Sequence, residues 1–250
     1  MKLIILGSGT TVPSLSRDAA GYYLQIASQE CLIDCGSGVL VQLERVGKSY
    51  QTLDKIFITH THPDHIGDLI RLIQALKFTP GFQRKKALTL YGPTGFAAFF
   101  ANHVTPLVGN PGPFSIEVNE VEGVLEFSGF RVLTTPTVHS ESLNSVAYRF
   151  EENDRSAVLS GDCDYDDGMI RLAHGADLLV IDCSFPDAWK VKGHLAASEC
   201  GQVARQANVK QLVLSHLYPV PPAEDKRLAE CRAAFSGPVR LAEDCLVIEI

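Results

Sequence analysis

Short apolar runs recur along the chain, and each stops abruptly at a polar residue capable of chemistry. KIFIT runs into His60, RVLTTPTV into His139, SAVLSG into Asp162, LLVI into Asp182 and QLVLS into His216. Runs of this length and β-branched content predict strands. Between them, apolar residues at three-to-four spacing predict helices over Val39–Val46, Ile66–Lys77, Thr94–Asn102, Gly168–His174, Ala196–Ala207 and Ala223–Phe235. Alternation over Gly21–Ile26 and Cys31–Ile33 predicts an antiparallel hairpin. Sheets covered by helices are the simplest α/β architecture for this order. In such proteins, strand ends converging at one sheet edge assemble sites from residues distant in sequence.

Length and composition narrow the class. The 250 residues, 46% of them hydrophobic, are enough for one compact domain spanning 1–250. The N-terminal apolar run is broken by Gly7, too early for a secretory segment, and no apolar stretch is long enough to cross a bilayer. A cytoplasmic protein without a membrane partner is therefore expected. The seven cysteines (Cys31, Cys35, Cys163, Cys183, Cys200, Cys231 and Cys245) are scattered and form no C-x-x-C pair, so they read as small buried hydrophobes. The net charge of −7 offers no global attraction to a phosphate backbone, and the one basic run is Arg84-Lys85-Lys86. LIILGSGTTVP carries a G-x-G after a strand, but it lacks the third glycine of a dinucleotide site and meets Pro13 at once. It reads as a tight loop at a strand end, close to substrate, where glycine permits close approach of the backbone.

The chemistry is concentrated in ITHTHPDHIGDL, residues 58–69, with three histidines and an aspartate between His60 and His65. In an extended loop, His60 and His62 point to the same side and can grip one cation. Asp64 and His65 fall where the chain turns into a helix, aimed at a neighbouring point that suits a second cation. Two divalent ions need further ligands, which the strand-end residues His139, Asp162 and His216 supply. Imidazole with carboxylate suits zinc, iron or manganese. His103 and His174 fit no such pattern.

The order H-x-H-x-D-H, a strand-end histidine, S-G-D and then L-S-H resembles the metallo-β-lactamase superfamily over nearly the whole chain. Within it, GSGTTVP, IDCGSG at 33–38, LYGPTG at 90–95 and GHLAASECGQVARQANVKQLVLSHLYP at 193–219 resemble ribonuclease Z and related phosphodiesterases. The resemblance implies an αββα sandwich, two mixed β-sheets flanked by helices, with a dinuclear site at one edge. It implies that His60, His62 and His139 hold one metal, that Asp64, His65 and His216 hold the other, and that Asp162 bridges both. Zinc is the expected ion, with manganese and iron(II) as alternatives. Asp34, in IDCG, is either an acceptor orienting a ligand histidine or a turn aspartate. His194, in HLAASE, is implied to be a proton donor rather than a ligand. Asp182 reads as site wall, and S-G-D points to Asp162 rather than Cys163 as the ligand, which argues against a drug-hydrolysing β-lactamase.

The activity so implied is hydrolysis of a phosphodiester by a metal-bridging hydroxide, with Asp64 and His194 as catalytic residues. Ribonuclease Z enzymes grip transfer RNA with a long basic arm, in many bacterial forms placed between the third histidine motif and the bridging aspartate. Here Ser140–Gly161 leaves room only for two short strands and an acidic turn. Small or short phosphodiesters are therefore expected ahead of transfer RNA, whose 3′ processing is the alternative. An arylsulfatase-like hydrolase and an inactive metal-binding module are further alternatives. A diiron redox protein is disfavoured because His62 stands where flavo-diiron members carry glutamate. Relatives of this kind often dimerise, so a homodimer is expected.

Overall fold

The computed structural model describes residues 1–250 and contains two mixed seven-stranded sheets flanked by helices. The first comprises β1 (Lys2–Gly7), β2 (Gly21–Ile26), β3 (Gln29–Ile33), β4 (Lys55–Phe57), β5 (Leu88–Gly92), β6 (Ile116–Glu120) and β14 (Val247–Glu249), in the order β14-β1-β2-β3-β4-β5-β6. The second comprises β7 (Val124–Phe127), β8 (Phe130–Pro136), β9 (Val146–Glu152), β10 (Arg155–Leu159), β11 (Leu178–Asp182), β12 (Leu212–Ser215) and β13 (Val239–Leu241), in the order β13-β12-β11-β10-β9-β8-β7. The expected hairpin is β2–β3, with Tyr22 opposite Ile33.

Residue alternation explains the layering. In β1, Leu3 and Ile5 face the second sheet while Ile4 and Leu6 face helices, as the two-residue period of a strand buried on both faces requires. Between the sheets, the fully buried Phe57 stacks on Tyr91 at 4.8 Å and meets Tyr148 and Phe150 edge-on at 5.4 and 5.1 Å. Truncating an aromatic side chain so placed costs about 3–5 kcal/mol. The outer face of the first sheet is covered by α1 (Val39–Arg45), α3 (Leu69–Phe78) and a run from α4 (Phe96–Phe99) through a π turn to α5 (Thr105–Val108). A short helix, α2 (Pro63–Ile66), precedes α3. Helices α6 (Asp167–Ala173), α7 (Ala197–Gln206) and α8 (Arg227–Ala234) cover the second sheet. No helix is long and apolar enough to cross a membrane.

Three helices depart from the sequence expectation for local reasons. The helix expected from Ile66 to Lys77 is split, because the Asp68 N–H bonds to the Cys35 carbonyl at 2.9 Å rather than continuing the helical ladder. The stretch expected to end at Asn102 continues to Val108 through the π turn. Pro106 lacks an N–H and crowds the carbonyl four residues back, which favours the wider turn. The last helix starts at Arg227 instead of Ala223, because the Asp225 carboxylate ties down the Arg227 amide at 3.3 Å and its guanidinium at 2.8 and 2.6 Å.

Strand direction places the site. β3–β6 run parallel to one another, as do β10–β13, and β8 runs parallel to β10 because both are antiparallel to β9. The segments leaving β4, β8, β10, β11 and β12 carry His60–His65, His139, Asp162, Ser184 and His216 respectively.

Candidate metal centre

All seven side chains singled out as ligands meet at this edge. Three groups can each hold a cation: His60, His62, His139 and Asp162; Asp64, His65 and His216; and Asp162, Asp182, His194 and His216, with ligand atoms in each lying within 4.8 Å of one another. In the first, His62 Nδ1 stands 3.0 Å from both His60 Nε2 and His139 Nε2. Three imidazole nitrogens so close cannot all be satisfied by hydrogen bonds among themselves, since each neutral ring carries one donor and one acceptor. In the second, Asp64 Oδ2 lies 3.3 Å from His216 Nε2 and 3.8 Å from His65 Nε2.

Asp162 stands between the two groups and gives one oxygen to each. Its Oδ2 is 3.6 Å from His60 Nε2 and 3.6 Å from His139 Nε2. Its Oδ1 is 3.2 Å from His65 Nε2 and 3.3 Å from His216 Nε2. Despite that proximity, His65 Nε2 and Asp162 Oδ1 lack hydrogen-bond geometry and are buried without a partner. Buried polar atoms left unpaired cost about 1–3 kcal/mol each, and a bound cation would remove that penalty. The donor set therefore fits a pair of divalent ions.

The surroundings fix which nitrogen of each ring faces inward. His65 Nδ1 donates to Asp34 Oδ2 at 2.8 Å, and His139 Nδ1 donates to the Gly193 carbonyl at 2.9 Å. His60 Nδ1 lies 3.1 Å from Thr59 Oγ1, and His216 Nδ1 lies 3.0 Å from Ser184 Oγ. Thr59 and Ser184 donate their own hydroxyl protons to Asp34 and Asp182, at 2.9 and 2.7 Å, so both oxygens are left to accept from the rings. Four of the five ligand-type rings thus turn Nε2 to the inner side, and His62 offers Nδ1 instead. Protein acceptors behind ligand imidazoles are the usual way of fixing tautomer and orientation.

The backbone supporting these contacts is unusual in places. Asp34 and His216 have φ of 56° and 56°, the left-handed region that a non-glycine residue enters at a cost of about 1–3 kcal/mol. A Cβ at Gly36 would meet the Asp64 carbonyl at 2.0 Å, which accounts for the glycine after Asp34-Cys35. At Gly193, φ is +91° and a Cβ would meet the His139 carbonyl at 2.4 Å.

Electrostatics divide the rings into two kinds. Burial, with the neighbouring His65, holds His60 well below its ordinary pKa. His62 is lowered by burial and by His139. Both are therefore neutral at pH 7, the form that binds metal. For His65, burial is outweighed by Asp162 and Asp34, and its pKa lies well above the ordinary value. For His216, burial is outweighed by Asp162, Asp182 and Asp64, which push it up to about 10. Burial works to raise Asp64 and Asp162, but His216 and His65 hold both carboxyls low.

His194 stands beside this cluster, its ring stacked on His216 at 5.5 Å. Its Nδ1 is 2.8 Å from Asp182 Oδ2, and that contact outweighs burial to raise its pKa. Asp182, which sequence reading took for site wall, is the residue that holds His194. It also accepts from the amides of Ser184 at 3.0 Å and Cys163 at 3.2 Å. Ser184 was missed altogether; its only sequence signal was its place just after a strand-end aspartate. Of the cysteines, all are free and all but Cys245 are buried. Of the basic run, Arg84 is buried and bonded to Asp54 at 3.2 Å and to the carbonyl oxygens of Lys86 and Ala87 at 2.9 and 2.8 Å, which leaves Lys85 and Lys86 exposed. A cleft of about 330 Å³ lined by Thr10, Thr11, Ser14, Arg17, Ser37 and Asp64 brings the GSGTTVP loop beside the cluster.

Comparison with known proteins agrees with this geometry. Residues 29–217 match the family model described as the beta-lactamase superfamily domain. The chain belongs to that superfamily. It is 27% identical to Ribonuclease Z of Archaeoglobus fulgidus over 312 aligned positions, covering 100% of this chain and 97% of the relative. To Ribonuclease Z of Methanothermobacter thermautotrophicus it is 29% identical, with 100% and 97% covered. Among solved structures, the metallo-beta-lactamase fold protein YhfI from Bacillus subtilis superposes with a TM-score of 0.87 at 26% identity, covering 99% of this chain and 98% of that one. The short form of human tRNase Z superposes with a TM-score of 0.80 at 25% identity, covering 100% and 99%. The sequence expectation of a ribonuclease Z-like, metal-dependent hydrolase on an αββα sandwich is borne out.

Proposed function

We propose that this chain is a dinuclear phosphodiesterase of the ribonuclease Z type that cuts precursor transfer RNA on its 3′ side. The observation that carries this reading is Asp162, whose two oxygens divide between two histidine groups in a chain matched end to end by Ribonucleases Z. His60, His62 and His139 would hold one divalent ion, Asp64, His65 and His216 the other, and Asp162 both. Zinc suits this donor set, with manganese and iron(II) as competitors. A bound pair of divalent ions supplies Lewis acidity, lowering the pKa of water from about 15.7 towards about 7 and offsetting charge on the attacking and leaving oxygens.

The chain's own residues then divide the proton work. Asp64, held ionised by His216 and His65, orients the attacking water and accepts its proton. His194, with Nδ1 fixed on Asp182 Oδ2, keeps Nε2 for the leaving alkoxide and delivers a proton there. General acid catalysis of this kind contributes about 10² to 10⁴ in rate. The backbone carbonyl of Gly193 orients His139, so one loop positions both a ligand ring and the proton donor.

Sequence alone ranked small diesters above transfer RNA, and the relatives favour the reverse order. Net charge is a weak guide here, because two dications would reverse the sign of the local field whatever the total. One observation still favours a second reading, hydrolysis of small or short diesters. β9 and β10 are joined by only Asn153 and Asp154, and the Archaeoglobus alignment spans 312 positions against 250 residues here, so the relative carries segments this chain lacks. The test is a panel of precursor transfer RNA, cyclic nucleotides and bis-p-nitrophenyl phosphate, with metal measured on the same preparation. Cleavage of the precursor at its 3′ side is expected. Turnover of small diesters alone would establish the second reading instead.

A further inference from the structure

Tyrosine hydroxyls in folded proteins usually find a partner when the ring is buried or half-buried. Five of the seven here do. Tyr22 bonds Ser215 at 2.8 Å, Tyr23 bonds Glu30 at 2.6 Å, Tyr50 bonds Thr79 at 2.5 Å, Tyr148 donates to the Ile58 carbonyl at 2.8 Å, and Tyr165 accepts from Gln206 at 2.6 Å. The other two are Tyr91 and Tyr218. Tyr91 belongs to the aromatic packing around Phe57, away from the ligand cluster. Tyr218 stands against that cluster.

Its position is set from several sides. Tyr218 follows His216 by two residues, and its ring centroid lies 5.7 Å from that of His216 and 6.0 Å from that of His194, edge to face with both. Phe185 stacks on the Tyr218 ring at 4.7 Å and 21°. The Tyr218 amide is tied to the Ser184 carbonyl at 3.3 Å, so Ser184 holds the backbone of Tyr218 while its hydroxyl serves the rings of His194 and His216. A half-buried aromatic ring clamped in this way has little freedom, and its hydroxyl makes no hydrogen bond to any group of the protein. An O–H donor without a protein partner, carried on a ring that packs edge-on against the proton-delivering imidazole, suits an anionic oxygen whose charge grows during reaction.

We propose that the Tyr218 hydroxyl is a catalytic residue that donates a hydrogen bond to a non-bridging phosphoryl oxygen of the substrate, with Phe185 fixing its ring. This rests on the phosphodiesterase reading but not on transfer RNA as the substrate. Hydroxyl and ring can be separated by substitution. Tyr218→Phe removes one oxygen and keeps the stack on Phe185, whereas Phe185→Leu keeps the hydroxyl and loosens the ring that carries it.

The experiment compares the zinc-loaded wild type with both variants. One readout is hydrolysis of bis-p-nitrophenyl phosphate, and the other is calorimetric binding of inorganic phosphate. For Tyr218→Phe, kcat should fall about tenfold to a hundredfold, the range for losing one hydrogen bond to a charged oxygen. Phosphate binding should weaken, while bound zinc and thermal stability stay at wild-type values. Phe185→Leu should show a smaller loss in the same two readouts. Wild-type turnover and wild-type phosphate affinity in Tyr218→Phe would overturn the proposal and leave the phosphodiesterase reading standing. A wild type that binds phosphate and cleaves bis-p-nitrophenyl phosphate but ignores precursor transfer RNA would remove the transfer-RNA reading alone, and the Tyr218→Phe comparison would still decide. Failure of the wild type to bind phosphate or cleave any diester would overturn both.

Discussion

Replacing Asp34 by asparagine removes a charge but keeps the side-chain size and a residue type that tolerates its φ of 56°. In the native chain, Oδ1 accepts from the Thr59 amide at 2.8 Å, and Oδ2 accepts from His65 Nδ1 at 2.8 Å and from the Thr59 hydroxyl at 2.9 Å. An amide has only one oxygen. If that oxygen serves Thr59, the NH₂ group faces the N–H of His65, donor against donor. The ring must then turn or carry its neutral-form proton on Nε2, and either change takes away the inward Nε2 lone pair that a cation needs. Losing one such orienting partner lowers metal affinity about 10- to 100-fold, or about 1.4–2.8 kcal/mol. The loss should fall on one ion of the two, because an amide oxygen at the Oδ1 position still accepts from the Thr59 amide and hydroxyl, so Thr59 stays in place behind His60, and His62 and His139 do not depend on Asp34. The assay is zinc titration against a chromophoric chelator. Wild type should show two tight sites, and Asp34→Asn one tight and one weakened site with the fold intact by circular dichroism. Two unchanged affinities would refute the idea that Asp34 prepares His65 for metal.

Further outcomes follow from the same contacts. His194→Ala should retain both metals and lose about 10² to 10⁴ in kcat; normal turnover would remove His194 from the mechanism. Asp182→Asn removes the charge that holds the His194 pKa up, so the proton-donating form should be lost at lower pH and the alkaline limb of the kcat profile should move down. An unshifted limb would mean that another group supplies the proton. In chelator-treated protein, His216 is pushed up from 6.5 to about 10, so the stability it confers is complete below about pH 6.5 and disappears as pH rises through about 10. The Tm of metal-free protein should therefore fall between pH 7 and 10, with His65 acting in the same direction, and a flat profile would contradict the pairing with Asp162.

The candidate metal cluster was legible in the sequence because its residues advertise themselves in two ways. Four metal-capable residues crowd into His60–His65, and His139, Asp162 and His216 each end or follow an apolar run. Sheets with parallel strands bring such ends to one edge, so the strand pattern placed these residues together, and the family resemblance picked out His139, Asp162 and His216 over Asp182 as candidate ligands. The supporting residues were harder to read. Asp34 was recognisable only as one of two equal alternatives, because a turn aspartate before glycine looks the same whether or not a ring lies behind it. Asp182 and Ser184 reach His194 and His216 across ten to thirty-two positions, and no local periodicity encodes such a pairing. Helix boundaries departed from expectation for local reasons that periodicity does not carry: the Cys35 carbonyl takes the Asp68 N–H, Pro106 widens a turn, and Asp225 ties down Arg227. Substrate order is less legible for a different reason, since a summed charge does not describe the field at one cleft, and the relatives favour transfer RNA over the small diesters that net charge put first.

The central claim is that Asp162 joins two cation sites, and anomalous diffraction from crystals grown with zinc tests it most directly. Data collected on either side of the zinc absorption edge should show two peaks, one among His60, His62 and His139 and one among Asp64, His65 and His216, each in contact with a different oxygen of Asp162. A single peak, or peaks away from Asp162, would contradict the account.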